Sequence, residues 1–416
     1  MMKYAFVVLT TLWVHAAAQA EEAWQTTAAW RTAFAEAAAN GTQGNRRTEA
    51  GLHIAMFSAG NHVDPRYQPV LNGLRDAAGH PEVAAAMAAY TFIQEVTGDA
   101  AAAQSLFDKA TEGVSDRDLR RLDRLASRAV KRTLEMINER DDTATYWVPE
   151  PVPGRYDPVE VPVTMEHPPF VPFSIPSRDA FRPEGPTPID SDAYAQDLAE
   201  VQRLGGQDSD DRTEAQEREA FFWWLPDFYA VLEDLVSRRD IDLLDQARIF
   251  MLFEMIVSDA DLVMADSKNH FLFWRPVVAI RRADLDGRPE TEPQPDWLPF
   301  MRTPPHPEYV CGHCIWGASA ARAMEHLLPL NEAESFVMSK GEATEAQAAM
   351  LKFRGVRIKD IEGMEVVITD YQVMRQRISD ARIYAGAHFR TSNDHGDAAG
   401  TAVADYVIAN TAQPLK

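Results

Sequence analysis

Cationic and acid/base side chains gather in three short segments in the last third of the chain. The segments are residues 268–276, 304–314 and 379–390. They include two arginines, Arg275 and Arg382, and one lysine, Lys268. Guanidiniums give forked hydrogen bonds and an ammonium gives a point charge, so this set could neutralise a tetrahedral oxyanion of high charge.

The same segments hold a glycine and two histidines that would complete such a site. Gly312 is expected to open a helix, whose first N–H groups and dipole favour an anion. One imidazole, His388, could bond to the central atom of the anion while a second, His313, exchanged protons on the opposite side. A single Lys, Arg or His is usually a solvated or structural residue, so the spacing carries this prediction.

Helices are expected to position these segments, because apolar residues recur at helical spacing along most of the chain. The predicted helices are residues 84–98, 119–138, 191–204, 213–238 with a break near Pro226, 241–266, a helix starting near Gly312, 370–385 and 394–410. No alternating run is long enough to build a sheet, and no internal repeat is evident. The predicted fold is therefore all-α, a multi-helix bundle.

Composition divides the chain into four predicted regions. Residues 1–20 have one lysine, an apolar stretch and an Ala-Gln-Ala ending, the pattern of a signal peptide cut before Glu21. Residues 21–148 form an Ala-rich helical region. Residues 149–190 contain 12 of the 26 prolines, which exclude helix and central strand and favour an extended strap over a helical body. Residues 191–416 form the helical catalytic core.

Charge and cysteine content exclude several classes of protein. The net charge of −22 argues against a nucleic-acid partner or an anionic membrane surface. Only two cysteines are present, Cys311 and Cys314, which excludes a disulfide scaffold. The apolar stretch near Met1 is shorter than the ~20 residues of a membrane span, and no later stretch is long enough. We expect a periplasmic or secreted protein that acts on small molecules.

The order Lys-x6-Arg-Pro, x-Gly-His and Arg-x5-His resembles the signature of the vanadium-dependent haloperoxidases. They share a superfamily with the type 2 phosphatidic acid phosphatases and the bacterial class A acid phosphatases. Wider strings resemble the bacterial branch of the haloperoxidases: residues 173–204, 269–281, 304–313 and 381–390. The resemblance covers residues 151–410, and it implies a helical bundle of the haloperoxidase/acid-phosphatase type.

By this resemblance, all three segments hold vanadate, or phosphate as an isosteric occupant. The oxyanion-binding residues would be Lys268, Arg275, Cys311, Gly312, His313 and Arg382. His388 would be the vanadium ligand, His313 the acid/base group, and Lys268 would polarise hydrogen peroxide. Halide would be oxidised to hypohalous acid for transfer to an organic acceptor, with vanadium acting as a Lewis acid of constant oxidation state.

Cys311 stands where the family usually has serine. A thiol is a weaker hydrogen-bond donor than a hydroxyl, and a thiolate beside cations would repel the anion. Cys311 and Cys314 could instead form a disulfide in an oxidising compartment. A free thiol next to a source of hypohalous acid would be oxidised quickly.

Two further positions depart from the family. Four residues beyond His388 the family often has Asp, but here the residue is Ser392, so Asp394 or a backbone carbonyl is expected to orient His388. His306 stands where chloroperoxidases have Phe and resembles the algal bromoperoxidases, which favours bromide or iodide. A surface histidine in a proline-rich loop is the alternative interpretation of His306.

Other functions remain open from the sequence. A phosphohydrolase would use His388 as nucleophile and His313 as leaving-group acid. A thiol redox protein would use Cys311 and Cys314, although this needs a β/α context. A non-catalytic oxyanion-binding scaffold is possible, whereas zinc binding by Cys311, His313 and Cys314 lacks a second ligand pair. The N-terminal helices could complete the bundle or form the face of a homo-oligomer.

Overall fold

The computed structural model describes residues 23–39, 46–74, 78–141, 152–158, 170–224, 226–340, 348, 352 and 360–415. The predicted signal peptide, residues 1–20, lies outside these ranges. Over the described residues the chain is 60% helical, with 13 α-helices and few strands, so the all-α prediction is confirmed. None of the described helices is both long and apolar enough to span a lipid bilayer.

The chain divides into two compact units. The first comprises the described residues within Met1–Glu139, Val236–Met255 and Ile408–Lys416, and the second those within Arg140–Leu235 and Ile256–Val407. The four regions predicted from composition stay a prediction. All candidate site residues belong to the second unit.

The first unit is built from helices with many buried alanines. These are α1 Thr27–Ala39, α2 Arg46–Val63, α3 Pro81–Thr97, α4 Gln104–Thr111, α5 Asp116–Ile137 and the start of α9. The helices α2, α3 and α5 pack pairwise against one another. Small side chains allow this close approach, and Ala84, Ala88 and Ala126 are fully buried.

The second unit holds the helices that carry the site. They are α6 Asp192–Leu204, α7 Glu214–Phe222, most of α8 Phe228–Ser237, the later part of α9 Leu243–Phe271, α10 Pro276–Arg281, α11 Gly312–Leu327, α12 Tyr371–Tyr384 and most of α13 Arg390–Asn410. The helix α12 packs against α6, α7 and α11. Each predicted helix has an observed counterpart, although α9 continues to Phe271 beyond its predicted end at 266 and α13 begins at Arg390 before its predicted start at 394. The chain breaks between α7 and α8 beside Pro226, as expected.

The sequence did not predict the short helix α10 or a short antiparallel hairpin, and it gave no separate bounds for α1, α2 and α4. Strand β1 is Phe336–Ser339 and strand β2 is Glu365–Ile368, with Phe336 opposite Ile368. Each strand has only four residues, and four residues of alternation are too short to separate from chance.

The described parts of the proline-rich strap contain turns and no helix, and they lie against the second half of α9. Asp259, which is fully buried, accepts hydrogen bonds from the backbone N–H groups of residues 173, 174 and 175 at 2.7, 2.8 and 3.1 Å. Arg182 forms a two-pronged ion pair with Asp266. The N–H of Tyr156 donates to Leu272 at 2.6 Å. The strap therefore fastens the segment that leads from Lys268 to Arg275.

Candidate active site

Four pieces of chain converge on the site. Lys268 lies in the last turn of α9, and not beyond it as the sequence suggested, because the helix continues to Phe271. Arg275 is the N-cap residue of α10, whose first position is Pro276. The proline-rich loop leads into α11, and the turn after α12 delivers His388.

A glycine makes the turn after α12. Gly386 has φ +70°, a backbone conformation that side chains with a Cβ rarely adopt. Its N–H donates to Ile383 at 2.8 Å, and the N–H of Ala387 donates to Arg382 at 3.1 Å. This left-handed turn ends α12 one turn beyond Arg382 and directs the following His388 back toward Arg275.

The ammonium group of Lys268 is fully buried and bound by the proline-rich loop. Its Nζ donates to the carbonyl oxygens of Pro307, Glu308 and Val310 at 3.0, 2.8 and 2.6 Å. An ammonium has three N–H donors, so these carbonyls engage the whole group. Burial lowers the pKa of Lys268 well below its usual value, and Arg275 lowers it further, against the opposite effect of Glu308. The three acceptors nevertheless require the charged ammonium, because a neutral amine has only two N–H donors, so Lys268 adds positive charge to the site while its hydrogen bonds hold the loop.

Arg275 is also fully buried, and it links the loop to the turn after α12. Its Nε donates to the carbonyl of His306 at 2.9 Å, and Nη1 donates to the carbonyl of Ala387 at 2.8 Å. Nη1 also lies 3.2 Å from His388 Nε2, and Nη2 lies 2.9 Å from His306 Nδ1. His306 thus contacts a residue of the predicted oxyanion site through both its backbone and its ring.

His388 is held by a carboxyl group that the sequence prediction did not include. Its Nδ1 lies 2.7 Å from Glu308 Oε1, and the same oxygen accepts the N–H of Phe389 at 3.1 Å. His388 and Glu308 are 2% and 0% exposed. The expectation that Asp394 or a backbone carbonyl orients His388 is wrong, since Asp394 is exposed and Glu308 makes the bond. A carboxylate inside a predicted site loop is the signal that would have identified Glu308.

The hydrogen bonds define the protonation of the His388 ring. A guanidinium can only donate, so Nε2 must accept from Arg275 and carries a lone pair. The proton of the neutral ring is then on Nδ1, where it is donated to Glu308. Burial lowers the pKa of His388 well below its usual value, and Arg275, Lys268, Arg382 and His313 lower it further. The ring is therefore neutral and presents a bare nitrogen toward Arg275.

Burial acts on Glu308 in the opposite direction. It raises the pKa of Glu308 to about 7, although Arg275 and Lys268 favour the charged form. Oε1 remains a hydrogen-bond acceptor in both states, provided that any proton resides on Oε2. The bond to His388 is therefore compatible with both ionisation states of Glu308.

Trp224 contacts the other two predicted site residues, Arg382 and His313. The guanidinium of Arg382 is fully buried, lies 5.0 Å from the ring centre of Trp224, and donates from Nη2 to the carbonyl of Ala220 at 3.3 Å. His313 packs on the same indole at 4.9 Å, and its Nε2 lies 2.9 Å from the carbonyl of Trp224. Trp224 was not a predicted site residue, and no spacing marks it in the sequence.

The start of α11 has the predicted glycine and a disulfide. Cys311 is the N-cap residue, and its Sγ accepts the N–H of Cys314 at 3.2 Å. The two cysteines are paired in a disulfide, so Cys311 has neither an S–H to donate nor a negative charge. At Gly312 an added Cβ would lie 2.6 Å from Met264 Sδ, so only glycine fits without a shift.

The assembled site has an excess of buried positive charge. Lys268, Arg275 and Arg382 are each 0% exposed, and Glu308 is the buried carboxyl group among them. Within the described residues no group of three His, Cys, Asp or Glu side chains could hold a metal cation. Buried charges need compensation, so this arrangement is suited to an anion of two or three negative charges. The start of α11 would add N–H donors to it.

The sequence comparisons find a known domain in the C-terminal part of the chain. Residues 248–416 match the family described as the VCPO second helical-bundle domain. A vanadium chloroperoxidase from Curvularia inaequalis is 34% identical over 101 residues, which is 22% of this chain and 16% of that protein. This match therefore spans only a small part of the relative's length.

Solved structures extend the likeness to the whole fold. The structure described as the first bacterial vanadium-dependent iodoperoxidase has a TM-score of 0.69 at 18% identity, covering 93% of this chain and 96% of that one. An apo-type bacterial vanadium-dependent chloroperoxidase has a TM-score of 0.63 at 14% identity, covering 86% and 91%. The predicted resemblance to the vanadium-dependent haloperoxidases is therefore confirmed at two levels: residues 248–416 match a domain model from that family, and the chain has the fold of the bacterial vanadium-dependent haloperoxidases.

Proposed function

We propose that the protein is an exported, vanadate-dependent haloperoxidase that oxidises halide with hydrogen peroxide to hypohalous acid. The observation that carries this proposal is the buried cluster of three cations around a neutral His388 with a bare Nε2. A cationic metal would be repelled by Lys268, Arg275 and Arg382, whereas vanadate is an anion that could also take a nitrogen ligand from His388. The donor set therefore fits vanadate.

The chain's own residues divide the work of holding this anion. Arg275, Arg382 and the Gly312 amide would bind its oxygens, and Lys268 would stabilise it by charge. His388 Nε2 would supply the ligand nitrogen. Bound vanadate supplies a Lewis acid that activates hydrogen peroxide toward halide. The disulfide removes the thiolate that would otherwise repel the anion at Cys311.

His313 is proposed as the acid/base group. A backbone carbonyl only accepts, so the bond to Trp224 requires a proton on His313 Nε2. The other ring nitrogen, Nδ1, is then the atom that accepts a proton, which makes the imidazole positively charged, and later releases it. Trp224 packs against both His313 and Arg382.

Bromide or iodide is the proposed halide. Its support is His306, which stands where the chloroperoxidases have Phe, and in this structure its ring lies against the Arg275 guanidinium. The fold itself is compatible with different halides, since the structural relatives include an iodoperoxidase and chloroperoxidases. The co-substrates would be hydrogen peroxide and a small organic acceptor.

Export to the periplasm or the medium is part of the proposal. It is supported by the signal-peptide pattern of residues 1–20 and by the Cys311–Cys314 disulfide, which is stable in an oxidising compartment. Fractionation of producing cells tests it, with the mature chain expected to begin at Glu21.

The activity is tested with mature protein freed of phosphate, given hydrogen peroxide and bromide, iodide or chloride, with and without orthovanadate. We expect halogenation of an organic acceptor only with vanadate, and none from His388→Ala. His326→Ala, an exposed histidine at the end of α11, is the matched control and should keep full activity. Hydrolysis of a phosphate monoester without any halogenation would contradict the proposal and favour a phosphohydrolase that uses His388 as nucleophile.

A further inference from the structure

We infer that Glu308 is the positioning residue for His388: its Oε1 accepts the Nδ1 proton and so keeps Nε2 bare and directed toward the buried cations. This inference rests on the proposed function in one respect, namely that His388 Nε2 is the atom that meets the anion. In this chain the residue four positions beyond His388 is Ser392, which has no carboxyl group. The loop before α11 supplies the carboxyl group instead.

Two neighbours on opposite sides of the imidazole leave it one orientation. Glu308 Oε1 lies 2.7 Å from Nδ1, and Arg275 Nη1 lies 3.2 Å from Nε2. A ring flipped by 180° would place carbon atoms, Cδ2 and Cε1, against both partners, and both hydrogen bonds would be lost. Because the guanidinium only donates and Oε1 accepts, the opposite tautomer would set two N–H groups against each other at Nε2.

Glu308 is itself fixed by the chain around it. Its N–H donates to the carbonyl of Phe273 at 2.9 Å, and its own carbonyl accepts from Lys268 Nζ at 2.8 Å. Its Oε1 also accepts the N–H of Phe389, the residue after His388, at 3.1 Å. Glu308 therefore connects the approach to Arg275, the Lys268 ammonium and the His388 ring, and it is 0% exposed. Because the Glu308 carboxyl group is itself fixed, it can fix the orientation of the His388 ring.

Two variants separate acceptance of the proton from filling of space. Glu308→Gln retains an oxygen that can accept from Nδ1 and from Phe389, whereas Glu308→Leu has similar volume and no acceptor. The matched control is Glu254→Leu, because Glu254 Oε2 lies 2.8 Å from Nδ1 of His53 and both side chains are 0% exposed. This second pair lies in the first unit, so the control reports the general cost of removing a buried glutamate–histidine bond.

The readouts are the imidazole ¹⁵N shifts of His388 in anion-free protein and calorimetric binding of inorganic phosphate and of orthovanadate. We expect wild type and Glu308→Gln to show a protonated Nδ1 and a bare Nε2, with affinities within about threefold, less than 1 kcal/mol. Glu308→Leu should show mixed tautomers and bind both anions roughly 10- to 100-fold more weakly, the usual effect of losing such a partner. Glu254→Leu should bind both anions as wild type does.

Three results would overturn the inference. They are a proton on Nε2 of His388 in wild type, wild-type shifts and affinities in Glu308→Leu, and losses in Glu308→Gln equal to those in Glu308→Leu. The wild-type spectrum decides the matter even if Glu308→Leu fails to fold. If wild type has the expected tautomer but binds neither anion, the proposed function fails and the role of Glu308 in orienting His388 stands.

Discussion

Replacing Cys311 by serine, with Cys314 changed to alanine, should tighten anion binding at a small loss of stability. In the disulfide, Cys311 Sγ accepts the N–H of Cys314 and has no proton to give. A serine hydroxyl can accept that N–H and donate its own proton at the same time. The variant therefore adds one donor at the start of α11 without removing the cap of the helix.

The magnitudes follow from the short loop and the charge of the anion. A disulfide between residues three apart closes a small loop, so its removal costs about 2 kcal/mol by chain entropy. Serine is a better N-cap than cysteine and offsets about 1 kcal/mol of this cost. A hydrogen bond to a charged group contributes ~1.5–3 kcal/mol. This corresponds to phosphate and orthovanadate binding that is roughly 10- to 100-fold tighter.

The comparison that isolates the hydroxyl is Cys311→Ser/Cys314→Ala against Cys311→Ala/Cys314→Ala. Both lack the disulfide, and only the first has the new donor. Calorimetric binding of phosphate measures the affinity difference, and denaturant unfolding measures the stability of each variant against wild type. Equal or weaker binding by the serine variant would refute the reasoning, because the Cys311 side chain would then not face the anion.

Three further changes have defined outcomes. His313→Ala should lower vanadate-dependent turnover by roughly 10²- to 10⁴-fold as measured by initial rates, the range for losing an acid/base group, and a loss under threefold would exclude that role. Asp259→Asn should lower the free energy of unfolding by about 3 kcal/mol in denaturant unfolding. The three backbone N–H groups of the strap donate to both carboxylate oxygens of Asp259, and in asparagine one of these oxygens becomes an NH₂ group that cannot accept them. The amide protons of residues 173–175 should also exchange with solvent faster. Gly400→Ala should cost about 1–3 kcal/mol in the same assay, because the new Cβ would overlap the carbonyl of Ile315 in α11; an unchanged or raised stability would show that α13 can move away.

The positions of the helices could be predicted because their signal is local. Apolar residues repeat at helical spacing, and caps such as Ser191 and Asp370 mark starts within the sequence itself. The predicted end of α9, at residue 266, came too early because the apolar spacing is weak beyond that point. Residues 267–271 of α9 are mostly polar or aromatic, and the carbonyls that bind Lys268 help to hold that last turn in place.

The residues of the candidate site could also be predicted from the sequence, because three segments carry cationic residues, glycine and histidine at characteristic spacings. The contacts among these residues could not be predicted from the sequence. Arg275 and His388 are 113 residues apart, and His388 and Glu308 are 80 residues apart, so no local pattern relates them. Trp224 likewise reaches His313 across 89 residues.

The sequence by itself predicted the all-α fold, the resemblance to the vanadium-dependent haloperoxidases and the cationic residues of the candidate site, since each depends on residue type and short-range spacing. Tertiary structure alone decided which group orients His388, which carbonyl oxygens accept the three hydrogen bonds of Lys268, and that Cys311 is paired with Cys314. The physical reason is that hydrogen bonds need atoms about 3 Å apart with the right direction. Such distances arise only when helices distant in the sequence pack together.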